Sequence, residues 1–195
     1  VMKQIREDKT LPADLHVSLA YHWRDIQAEG FGPFNFIVKY FANKLANTWF
    51  LDSISASTSL NYLGLNYYGR YVVHLDWKPP FVRVDEGDGP KTDLEWTIYP
   101  EGLGHCLEDT FERYRLPLLI SENGIADAKD SQRAEFIKNH ITEIKKAREK
   151  NIPVIGYLHW SLTDNYEWAE GLKPRFGLVE MDYKNLKLNV LLYNL

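Results

Sequence analysis

Short apolar runs alternating with helical patterns restrict the fold of this chain more than any other feature. Residues 16–21, 62–68, 116–121 and 154–160 each form a short apolar run ending in polar or aromatic side chains. Runs of this kind read as parallel strands buried on both faces. Between the second and third, Leu103, Cys106, Leu107, Thr110, Phe111 and Tyr114 keep helical spacing behind Pro100, a favoured first-turn residue. Between the third and fourth, Ala134, Ile137, Ile141 and Ile144 do the same, with Lys and Arg crowding the helix end. Strand, helix, strand, helix, strand demands parallel strands joined by crossovers. The pattern alone leaves a barrel and an open sheet both available.

The intervals are uneven. Residues 77–96, with Pro79, Pro80 and the Gly87-Asp88-Gly89 triplet, read as a long loop beside an active site. Residues 27–59 are the least regular stretch, with a helix expected over 36–51. There is no close internal repeat and no low-complexity linker, so residues 1–195 are expected to form a single domain.

Composition narrows the function classes. A chain of 195 residues with 45% apolar content buries one substantial core, whereas a complete eight-fold barrel takes roughly 250 residues. The net charge of −4, with acids and bases interspersed, offers nothing to neutralise a phosphate backbone, so nucleic acid is not an expected partner. Cys106 is the single cysteine, which excludes an internal disulfide and a cysteine metal cluster and suits a reducing cytoplasm. No apolar run approaches the roughly 18 residues of a membrane span, and the opening nine residues do not read as a signal peptide. A cytoplasmic location, with no membrane association, is the expectation.

The candidate chemistry begins at Glu122, which follows an apolar run and precedes Asn123-Gly124, the place where a barrel strand delivers a carboxylate into its mouth. A carboxylate there can attack an anomeric carbon and form a glycosyl intermediate that water resolves. By itself the position is equally that of a helix-capping or salt-bridged Glu. Trp160, Glu167, Trp168 and Phe176 then cluster at or beyond the last apolar run, interleaved with Ser161, Asp164, Asn165 and Glu170. Aromatic faces stack on the CH face of a pyranose while carboxylates accept from its hydroxyls. The set is too polar for a fully buried run. His159 has no second His at ligand spacing, which argues against a metal, and Asp164 and Asn165 read as loop-shaping residues. No glycine-rich fingerprint follows any strand, so no nucleotide cofactor is expected, and none of another kind.

Four motifs in order carry a resemblance: LGLNYYGR at 63–70, DLEWTIYPEGL at 93–103, ISENGIAD at 120–127, and HWSLTDNYEW at 159–168 with RFGL at 175–178. They resemble glycoside hydrolase family 1, the retaining β-glycosidases, and most closely its archaeal β-galactosidase/β-glucosidase branch. The resemblance implies a (β/α)8 barrel with Glu122 as nucleophile and Tyr68 as the hydroxyl that bonds it. It implies further that Asn66, Trp160, Glu167, Trp168 and Phe176 bind substrate: Glu167 at the 4- and 6-hydroxyls, Trp168 at the 3-hydroxyl, Trp160 as stacking platform and Phe176 as aromatic wall. Members acting on 6-phospho sugars carry a serine at the position similar to Glu167, so a carboxylate there favours neutral glycosides.

The chain also departs from the family. The Thr-x-Asn-Glu-Pro segment that supplies the acid/base glutamate has no counterpart here, nor do the strand-one to strand-three sugar ligands, and the family's Arg-Pro-Ser-rich final helix is missing. The motifs present correspond to strands five to eight, the C-terminal half of the barrel. Retaining hydrolysis needs two carboxyl groups about 5–5.5 Å apart. The expectation is therefore a nucleophile-bearing half that is weakly active or inactive alone. It would be completed by an N-terminal half or by a second copy of the chain, acting on β-glucosides or β-galactosides. The alternative is a non-catalytic sugar-binding half-barrel.

Overall fold

The computed structural model describes residues 2–12, 14–30, 32, 34–55, 60–75, 78–79 and 81–189. Trp77 and Pro80, part of the expected loop, lie outside them. A short helix α1 (Met2–Glu7) precedes strand β1 (Ala20–His22). Then come β3 (Leu63–Asn66), helix α4 (Pro100–Tyr114), β6 (Leu118–Asn123), helix α5 (Arg133–Glu149) and β7 (Val154–His159). The strands form one sheet in the order β1-β3-β6-β7, every pairing parallel. These are the four expected strands in chain order. The first is shifted, because only the end of the 16–21 run enters the ladder.

One face of this sheet carries the core. Leu63, Leu65 and Tyr67 from β3 and the residues after it, Leu118 and Ile120 from β6, and Val154 from β7 pack against Leu103, Cys106 and Leu107 of α4 and Ile144 and Ala147 of α5. The other face has no helix layer among the described residues. On the edge strand β7, Ile155 and Leu158, which point to opposite faces, remain 58% and 55% exposed.

Two differences from the sequence reading have clear physical causes. Strands β2 (Asp25–Glu29) and β4 (Arg70–Leu75) extend beyond the ends of β1 and β3 and pair parallel with each other, and β5 (Val82–Asp85) adds antiparallel to β4. Residues 82–85 fall in the stretch expected to be loop from Pro79, Pro80 and the Gly87-Asp88-Gly89 triplet. They bury no apolar face, and the ladder to β4 and the His74–Asp85 contact at 3.1 Å hold them as a strand. The helix expected over 36–51 runs longer, as α2 (Phe34–Asn43), a wide π segment (Lys44–Thr48) and α3 (Trp49–Ser55). Asn47, fully buried in the π segment, accepts from the Arg24 amide at 3.1 Å and donates to the Arg24 carbonyl at 2.8 Å. One side chain thus satisfies the β1–β2 junction, a use of local widening found where a helix must meet a particular backbone.

The α5 seam is also rotated. Arg133, Phe136, His140, Ile144 and Ala147 face inward while Ala134 is exposed. His140 donates from Nδ1 to the Phe136 carbonyl at 2.8 Å, and its ring lies 3.9 Å from that of Phe136. Burial, aided by nearby His159, lowers its pKa to about 4 and keeps it neutral. The chain closes with a hairpin, β8 (Glu180–Asp182) and β9 (Lys187–Asn189). No described helix is long and apolar enough to cross a membrane.

Candidate active site

Asn66, Tyr68, Glu122 and Trp160 lie at or just beyond the carboxyl ends of β3, β6 and β7, and Glu167, Trp168 and Phe176 follow in the segment after β7. Glu122 is the penultimate residue of β6 and stands opposite Asn66 in the β3–β6 ladder. Its Oε2 accepts from the Tyr68 hydroxyl at 2.7 Å. Burial, and then this bond to Glu122, raises the Tyr68 pKa well above the usual tyrosine value, so the hydroxyl remains a donor. Asn66 accepts at Oδ1 from the Ser121 hydroxyl at 2.7 Å, a cross-strand tie directly before the carboxylate.

An aromatic wall surrounds this pair. Tyr68 lies edge-on to Trp96 at 5.6 Å and to Phe176 at 6.3 Å, while Trp96 and Phe176 are 6.2 Å apart. Phe176 is buried. Trp96 is a site neighbour that the sequence reading passed over, although it sits inside the DLEWTIYPEGL segment. Its amide is held by the Thr92 hydroxyl at 3.2 Å and its carbonyl accepts from the Thr92 amide at 2.9 Å, which fixes the indole over the site.

Trp160 and Glu167 form a second group, joined by an indole-to-carboxylate bond of 3.1 Å. The two groups are joined through the backbone: the Trp160 amide donates to the Asn123 carbonyl, next to Glu122, at 2.9 Å, and the Ser161 amide to the Phe176 carbonyl at 3.1 Å. Trp168 stands apart: it is 84% exposed. Asp164 shapes the loop as expected. It is nearly buried and accepts from the Arg175 guanidinium at 2.9 Å and from the Gly177 and Met181 amides at 2.9 and 3.1 Å. His159 lies under the mouth beside Tyr157, and burial with the nearby Arg133 charge lowers its pKa to about 4.

Gly124 shows how tightly β6 and β7 approach. A methyl group there would run into the carbonyl oxygen and carbon of Trp160, which are backbone atoms with nowhere to go. Gly124→Ala is expected to destabilise the chain by roughly 3 kcal/mol or more, the upper end of ordinary overpacking. The midpoint of urea unfolding measures this, and a midpoint within error of the parent would contradict the close approach.

Four parallel strands with helices on one face, and a carboxylate at the strand ends beside aromatic walls, define half of a (β/α)8 barrel with a polar mouth. Comparisons with known proteins give the family. The profile of Glycosyl hydrolase family 1 matches residues 51–190, and the chain belongs to that family. It is 40% identical over 140 residues to a β-galactosidase of Sulfolobus acidocaldarius, covering 66% of this chain and 28% of the relative. It is 37% identical over 168 residues to β-glucosidase A of Thermotoga maritima, covering 80% and 38% respectively. Among solved structures, a family 1 β-glucosidase from Thermotoga maritima superposes with a TM-score of 0.84 at 28% identity, over 91% of this chain and 48% of that one. A β-glycosidase from Pyrococcus horikoshii gives 0.81 at 34% identity, over 88% and 44%. The chain thus spans well under half of the length of these curated relatives.

Proposed function

We propose that this chain is the nucleophile-bearing half of a retaining β-glycosidase acting on neutral β-glucosides or β-galactosides. The observation that carries the reading is the 2.7 Å bond from Tyr68 to Glu122 at the strand ends. A single hydrogen bond from a hydroxyl that stays protonated orients one carboxylate oxygen and leaves the other free to attack. Trp160 serves as stacking platform, Phe176 and Trp96 as side walls, and Glu167 accepts from glycone hydroxyls. Asn66 and Trp168 bind substrate in the same scheme. Residues 1–195 act as one domain, and the site requires no cofactor.

The acid/base belongs to the N-terminal half of the barrel, whether that half precedes β1 on a longer chain or is a chain of its own. Among the described residues β1 and β7 end the sheet on either side without partners, and Ile155 and Leu158 lie open. Unpaired edges and open apolar side chains of this kind favour strand addition. A second copy of the chain is the alternative partner. It would close eight strands but bring no acid/base glutamate.

A 2-deoxy-2-fluoro-β-glucoside with a dinitrophenolate leaving group needs no protonation to react, so it tests the nucleophile on the chain as it is. The expected result is one fluoroglycosyl adduct, found by intact mass and mapped to Glu122. An adduct on a different residue would sink the reading. Sugar binding with no adduct at millimolar reagent would favour a non-catalytic binding protein.

A further inference from the structure

Asn123 follows Glu122 and has no exposed surface. The ladders are irregular on both sides of it: the β3–β6 register shifts between Leu65 and Asn66, and the β6–β7 register shifts between Ile120 and Asn123. Register shifts inside a buried sheet leave backbone groups that the ladder no longer serves, and other groups must supply the partners.

Asn123 supplies them from its side chain. Its Nδ2 donates to the Tyr67 carbonyl at 2.8 Å, and its Oδ1 accepts from the Tyr157 hydroxyl at 2.9 Å. The Tyr67 amide in turn donates to the Glu122 carbonyl at 2.9 Å, and the Trp160 amide donates to the Asn123 carbonyl at 2.9 Å. Tyr67 is therefore gripped from both sides, one residue before the tyrosine that bonds Glu122. Trp160 is gripped by the same residue.

Tyr157 sets the orientation of this clamp. With Nδ2 committed to Tyr67, Oδ1 can only accept, so the Tyr157 hydroxyl must donate to it. With the hydroxyl hydrogen given to Asn123, His159 Nδ1 at 3.4 Å can only donate to the hydroxyl oxygen, which it does in its Nδ1–H tautomer. Burial keeps both the Tyr157 hydroxyl and the His159 imidazole in their neutral forms.

We propose that Asn123 and Tyr157 are positioning residues: the Tyr157 hydroxyl fixes the Asn123 side-chain amide, that amide holds Tyr67 and with it the neighbouring Tyr68 against Glu122, and the Asn123 main-chain carbonyl, kept in place by the same clamp, holds the Trp160 amide at the end of β7. The step from placement to catalysis rests on Glu122 being the nucleophile proposed above.

Tyr157→Phe removes one oxygen and keeps the ring. Amide hydrogen exchange is read residue by residue by NMR. In this variant the Tyr67 and Trp160 amides are expected to exchange at least about tenfold faster, while the Leu118 and Gly64 amides, bonded lower in the same sheet, keep the parent rates. Unchanged exchange at Tyr67 and Trp160 would overturn the proposal, and so would equal acceleration at all four. In a second arm, the maximal rate of covalent labelling by the fluoroglucoside is expected to fall in Tyr157→Phe and in Asn123→Ala. A maximal rate equal to the parent's in both variants would likewise overturn it. A parent chain that takes no label counts against the nucleophile reading alone, and the exchange pattern then decides the positioning claim.

Discussion

Glu122→Gln is expected to lower β-glycoside hydrolysis by the completed barrel by roughly three orders of magnitude or more, about 4 kcal/mol of transition-state stabilisation. The substitution is nearly isosteric. The amide oxygen can still accept from the Tyr68 hydroxyl, so the wall of Tyr68, Trp96 and Phe176 has no reason to move. The nucleophilic lone pair and negative charge are lost, and no other described carboxylate hydrogen-bonds to Tyr68. The measurement is steady-state hydrolysis of a nitrophenyl β-glucoside by the chain with its complementing half. A Gly variant at the same position, given azide, should recover turnover with inverted configuration in the product. Full activity in Glu122→Gln would remove the carboxylate from the chemistry.

The second large effect is structural and lies at Arg133. This guanidinium is almost completely buried and ion-pairs with Asp130 at 2.6 Å. It also donates to four backbone carbonyls: Ile125 at 2.7 Å, Phe176 at 3.2 Å, Asp127 at 2.8 Å and Arg175 at 3.0 Å. Two of those carbonyls follow the nucleophile strand and two belong to the loop that carries the Phe176 wall. Arg133→Ala takes the guanidinium donor from the Ile125 carbonyl and one of two donors from each of the Asp127, Arg175 and Phe176 carbonyls, which keep the Asp130, Asp127 and Ser161 amides. Each lost bond to the guanidinium costs roughly 1.5–3 kcal/mol. The total is expected to reach several kcal/mol, enough to unfold a domain of ordinary stability. Arg133→Lys keeps the charge, yet one ammonium on a flexible stem cannot span four carbonyls, so most of the loss should remain. Urea unfolding followed by tryptophan fluorescence measures both variants. Midpoints near the parent value would show that the two loops hold together by other means.

Much of the architecture was legible in the sequence, for particular reasons. Residues 62–68, 116–121 and 154–160 announce themselves because each is a short apolar run of strand length set between helical patterns. Pro100 and the spacing from Leu103 to Thr110 give α4 in the same way. Strand β5 carries no such signal, since its side chains are exposed and its stability is that of a hydrogen-bonded ladder. The α5 seam was misplaced by counting apolar residues alone, whereas its inward face is opened by Arg133 and centred on His140. At the site, the motif around Glu122 was readable through its resemblance. Trp96 and Asn123 lay inside quoted motifs, but nothing in their spacing says that one roofs the mouth and the other ties three strands.

The order of the sheet has a consequence for how the chain is made. Strands β1, β3, β6 and β7 lie side by side in the order in which they leave the ribosome. Each new strand finds its partner already synthesised, and the sheet can grow by addition at one edge without waiting for a later segment to be inserted between earlier ones. Residues 154–160 are added last. The strand that pins Asn123 and brings Trp160 is therefore the final piece of the sheet to arrive, and a nascent chain halted before it would hold Glu122 in an unfinished mouth.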